Sequence, residues 1–102
     1  MDGRYNYIID WDPAKAAANF RKHGVSFDVA ATALFDPLAV TTPDEAHSET
    51  EERLSTTGHT SEGLLTVVIH TWKEIGSTAR VRIISARRAT RQEKAKYYEG
   101  TQ

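Results

Sequence analysis

Seven basic side chains (Arg80, Arg82, Arg87, Arg88, Arg91, Lys94 and Lys96) crowd one short stretch of the chain against a single acid, Glu93. A guanidinium is planar and always charged, so arginines on a rigid strand suit bidentate contacts with phosphate or carboxylate. Elsewhere Lys22, His23, Arg53 and His70 add cations and proton carriers, and Glu51 and Glu52 stand beside Arg53. This inventory fits metal-free phosphodiester chemistry. The 2′-hydroxyl of RNA would attack the adjacent phosphate while a base takes its proton. Cations would hold the developing charge, and an acid would protonate the leaving oxygen. Arg80, Arg88, Arg91 and His70 are candidate RNA contacts around that centre. So are Lys15 and Asn19, which share a helix face with Lys22. Each has an ordinary reading beside it: a solvated face for the lysines, a satisfied half-buried position for His70.

Other chemistries find no residues. Without cysteine there is neither a disulfide framework nor a thiolate metal site. Histidines 23, 47, 59 and 70 lack metal-ligand spacing, and no metal cofactor is expected. Glycine-rich phosphate loops and a serine nucleophile elbow are also missing. No apolar run approaches the roughly 20 residues of a membrane span, and Met1-Asp2-Gly3-Arg4 does not begin a signal peptide, so a cytoplasmic protein is expected. The net charge of −1 hides a segregation: residues 44–52 hold five acids and no lysine or arginine, whereas the C-terminal fifth is basic. A focused positive patch steers a polyanion even when the total is near zero.

The elements that must position these groups follow from local signals. Residues 4–11 have the aromatic and β-branched content of a strand. Asp12-Pro13 starts a helix, and Gly24 ends it after His23. Ser26 caps a second, shorter helix, stopped at Asp36-Pro37. Strands are predicted over 38–42, 53–57 and 64–72, the last of these the most hydrophobic, with a polar acidic loop at 43–50. Lys73 to Ser77 reads as a hairpin connection into the basic strand at 80–86. Thr90 and Glu93 then form a capping box at the start of a C-terminal helix. The order is β-α-α-β-β-β-β-α: one α+β domain over residues 1–102, an antiparallel sheet with helices packed on one face. Parity raises a difficulty. Arg82 and Arg87 are five apart, so a straight strand puts them on opposite faces unless it ends near Ser85–Ala86 and turns Arg87 back.

Three motifs together resemble a known family. Trp11-Asp12-Pro13…Lys15…Asn19…Lys22-His23-Gly24…Ser26-Phe27, then Glu51-Glu52-Arg53 with Thr57-Gly58, then Arg82-Ile83-Ile84-Ser85-Ala86-Arg87, are similar to those of the BrnT toxins. The resemblance implies a RelE-like fold and the toxin half of a bacterial type II toxin–antitoxin system. It also implies a metal-independent endoribonuclease that inhibits translation by cutting RNA. A BrnA-type antitoxin with a ribbon-helix-helix domain would neutralise it, and promoter DNA would be touched only through that partner. Carried over by position, Lys22, His23, Arg53, Arg82 and Arg87 are catalytic candidates, with either Glu51 or Glu52 as the acidic member. Two other functions compete: an inactive member of the same fold that only holds its antitoxin, or a single-stranded RNA binder using Tyr97, Tyr98 and the arginines.

The capping box gives a first test. Thr90→Ala should cost about 1 kcal/mol of stability, read by thermal unfolding, while activity per folded molecule changes little. A large activity loss at unchanged stability would place Thr90 in the site instead.

Overall fold

The computed structural model describes residues 5–44 and 52–100. Local signals set the helices as expected. In α1 (Pro13–His23) the Asp12 carboxylate accepts from the Ala14 amide at 2.8 Å, and Gly24 closes the helix at φ 70°. Ser26 accepts from the Val29 amide at the head of α2 (Phe27–Ala33). At the head of α3 (Arg91–Gly100) the Thr90 amide donates to Glu93 at 2.8 Å, and the Glu93 amide returns a bond to the Thr90 hydroxyl at 3.2 Å. The capping box is formed.

Among the described residues the sheet has six strands: β1 (Asn6–Trp11), β2 (Val40–Pro43), β3 (Leu54–His59), β4 (Leu65–His70), β5 (Lys73–Ile75) and β6 (Thr78–Arg88). Their order is β1-β6-β4-β3-β2, with β5 also paired to β6. Two expectations are corrected here. The sheet is mixed, because β1 lies parallel to β6, with Asp10 opposite Arg82. The predicted hairpin connection contributes a strand of its own, β5, placing Lys73 opposite Arg80. β6 outruns its expected span because it has neighbours along both edges.

The expectation of helices on one face is corrected as well. α1 and α2 cover one face, where Phe27, Ala30, Ala33 and Leu34 pack on Val68, Val81, Ile83 and Ala86. Gly58 permits the close fit of α2, since a β-carbon there would come within 2.4 Å of the Ala33 carbonyl oxygen. α3 lies on the other face, where Tyr97 is buried against His59. The cause is β4: Val67 and Leu65 alternate with Val68 and are buried too, so this strand needs a cover on both sides.

Asn19 holds the seam between helix and sheet. β1 ends opposite Ile83, leaving the next edge of β6 without a strand partner. The Asn19 amide takes that place, donating to the Ala86 carbonyl at 2.8 Å and accepting from the Ala86 amide at 3.1 Å. It also donates to the Val25 carbonyl at 3.1 Å. Its side chain is buried, so the expected polar face of Lys15, Asn19 and Lys22 is broken at its middle, and Asn19 is corrected from RNA contact to structural bracket. Asn19→Ala should cost about 3 kcal/mol in denaturant unfolding, because buried backbone groups lose their partners. Asn19→Asp should be comparably damaging, since a carboxylate cannot donate to the two carbonyls.

Candidate active site

The parity difficulty is resolved by an irregularity in β6. Ile69 pairs with Ser85 but His70 with Ile83, so Ile84 is an extra residue, a β-bulge. Val81 and Ile83 face the helix pair before the bulge, and Ala86 faces it after. Arg82 and Arg87 therefore share the opposite face while the strand runs on to Arg88. It does not turn back at Ser85–Ala86.

Register then assembles this face row by row. Asp10, Arg82 and Thr71 form one row across β1, β6 and the β4 extension. Arg53 precedes Leu54 and falls on the same face by alternation from Ser55. Ser85, Ile69, Ser55 and Thr42 form the next row; Arg87, Val67, Thr57 and Val40 form the third. A cavity of about 390 Å³ opens at the first row, lined by Glu52, Thr71, Trp72, Lys73, Arg80 and Arg82. Lys73 and Arg80 stand directly opposite one another, an arrangement that destabilises a sheet and favours an anionic ligand.

Two carboxylates aim the arginines. Asp10 accepts from Arg82 at 3.2 Å and from Arg80 at 3.1 Å, one oxygen for each. Arg87 forks onto Glu93 through two bonds of 2.7 and 2.9 Å, tying β6 to α3. That fork raises Arg87 above its ordinary value and holds the Glu93 carboxyl down at about 2. Sequence reasoning missed Asp10 as a partner. The available signal was an acid in an otherwise apolar, aromatic strand.

Other candidates lie elsewhere. Lys15, Lys22 and His23 belong to α1, in the layer on the opposite face; the three basic residues of its last turn, Arg21 included, complement the helix dipole. Among the described residues no hydrogen bond or ion pair joins them to the arginines. Arg88 alternates with Arg87 onto that opposite face and is exposed. Arg91 is exposed on the first turn of α3. Glu51 lies outside the described residues. His70 is corrected from an RNA contact to a buried structural residue, 1% exposed. Its Nδ1 lies 3.1 Å from the Thr71 carbonyl and its Nε2 2.7 Å from the Thr56 hydroxyl. Burial lowers its pKa, so Nδ1 donates and the neutral Nε2 accepts. It lines an apolar cavity of about 320 Å³ with Leu34, Leu54 and Trp72, on the helix-pair side of the sheet. Among the described residues no three His, Asp or Glu side chains gather as a metal site, and no helix is long and apolar enough to cross a membrane.

Residues 11–93 match the family model described as ribonuclease toxin, BrnT, of type II toxin–antitoxin system. The chain belongs to the BrnT family. The crystal structure of the Brucella abortus ribonuclease toxin, BrnT, is similar at 30% identity and a TM-score of 0.57, over 83% of this chain and 97% of that one. No curated protein matches. The BrnT match spans the bulge and the Arg87–Glu93 fork. Membership in a type II toxin–antitoxin family also implies an antitoxin partner.

The fork gives this BrnT-family chain a defined acid limb. Glu93 is depressed from 4.5 to about 2 in the folded state, so its stabilising contribution is complete above pH 4.5 and lost as pH falls through about 2. Glu93→Gln should flatten melting temperature against pH across that window relative to the parent. An unchanged acid limb would show that the fork contributes nothing to stability.

Proposed function

We propose that the chain is a toxin that cuts RNA on the face carrying Arg53, Arg80, Arg82 and Arg87. It needs no metal. The observation that carries this reading is the bulge at Ile84, which brings Arg87 onto one face with the Asp10-anchored pair, Arg80 and Arg82. Arg82 and Arg87 hold the scissile phosphate and the charge that develops on it, with Arg53 beside them. Glu52, which lines the same cavity as Arg80 and Arg82, is the carboxylate available to take the 2′-hydroxyl proton. Cleaving messenger RNA would stop translation. The proposal includes a BrnA-type ribbon-helix-helix antitoxin as the neutralising partner, contact with promoter DNA only through it, and action in the cytoplasm. Kinship with RelE-type ribonucleases is part of the same reading, supported by the α+β sheet with a helix pair on one face.

Purified protein should cleave RNA in EDTA. Arg82→Ala should then lower the rate at saturating RNA by about 3 kcal/mol, on the order of 10²–10³, at an unchanged melting temperature. Arg82→Lys should recover only part of this loss, because an ammonium cannot reproduce the bidentate fork. Near-parental cleavage by Arg82→Ala would remove the active site from this strand.

A further inference from the structure

A second recess lies on the arginine face, between α3 and the β2–β3 pair. It holds about 190 Å³ and is lined by Val40, Thr42, Ser55, Thr57, Glu93, Lys96 and Tyr97. Thr42 stands directly across from Ser55, and Thr57 from Val40, so three hydroxyls line one wall. Among the described residues no hydrogen bond engages any of the three. The hydroxyls that face the other way are spent, Thr41 and Thr56 being bonded to each other at 2.8 Å. Lys96, one helical turn beyond Glu93, faces the same recess without an ion pair among the described residues. Glu93 joins the two places, since the carboxylate that lines this recess is the one that forks onto Arg87.

We infer that this recess is a substrate subsite, binding the ribose and base edge of a nucleotide next to the one whose phosphate the arginines hold. The inference rests on the reading above. Free hydroxyls both donate and accept, which suits a ribose 2′-hydroxyl and the polar edges of a base. Ser55 lies in the same row as Ser85, between the Arg82 and Arg87 rows and two strands away. At the usual strand spacing that is roughly 10 Å, within reach of a neighbouring nucleotide. Lys96 would meet the next phosphate as a point charge. Apart from Val40 and Tyr97, every lining side chain ends in a hydroxyl, carboxylate or ammonium group, which suits a polar ligand better than an apolar protein segment.

The test is the triple variant Thr42→Val, Ser55→Ala, Thr57→Val, with Lys96→Ala as a separate, purely surface change. In the triple variant KM for single-stranded RNA should rise about tenfold while kcat stays within about twofold, the reverse of Arg82→Ala. Binding of an RNA oligonucleotide and its DNA counterpart should lose most of its preference for RNA. Lys96→Ala should weaken both nucleic acids alike and reduce the salt dependence of binding. Melting temperatures checked alongside exclude misfolding. If KM and the RNA preference are unchanged, the subsite is wrong; an unchanged KM with antitoxin binding lost would make the recess a protein-docking surface instead. Should the parent leave RNA intact, the cleavage reading fails, and the RNA–DNA comparison on the parent and triple variant still decides the subsite.

Discussion

A strand has a period of two, and β6 breaks it once, at Ile84. The union of Arg87 with the Arg80 and Arg82 side of the sheet depends on that extra residue. Without it Arg87 would point into the helix pair, where a buried guanidinium has no acid to meet, and Ala86 would leave the core. With it, one strand keeps Val81, Ile83 and Ala86 on the side of α1 and α2 while presenting arginines on the other face from both sides of the bulge. Bulges commonly re-aim side chains in this way beside functional sites. Asp10 and Glu93 then fix the two sets of guanidinium groups from β1 and α3.

The end of β1 opposite Ile83 explains the role of Asn19. Past Ile83, β6 has lost its strand neighbour, and its outer backbone groups would otherwise sit in the core unpaired. A side-chain amide has the donor and acceptor of a peptide group, so Asn19 finishes the edge from a helix. It also ties the α1–α2 turn through the Val25 carbonyl. One residue thereby sets how the helix pair sits on the strand that carries the arginines.

What the amino-acid sequence disclosed follows the range of each interaction. Caps act within three residues, and Asp12, Ser26 and the Thr90–Glu93 box are all where their spacing puts them. The parallel pairing of β1 with β6 joins residues some seventy positions apart, and no local pattern announces it. Neither glycine nor proline marks the bulge, so strict alternation gave the wrong parity for Arg87. Asn19 looked like part of a polar helix stripe because periodicity reports where a side chain points, not what backbone waits there. The second covered face was legible in principle: from Leu64 to Ile69 apolar residues fall at odd and even positions alike, as in a strand buried on both sides. The arginines were found by charge, and their counter-ions by structure alone.

The position of β6 in the sheet also orders the events of folding. It is synthesised after every other strand yet lies between β1 and β4, so no earlier segment can complete the sheet without it. Loop closure between β1 and β6 is a long-range step of the kind that slows folding. The strand that closes the sheet is also the one that bears Arg80, Arg82 and Arg87. A chain still being synthesised, with β6 unmade, has neither a finished core nor the basic face. Its basic face comes into being only as the molecule becomes a folded protein.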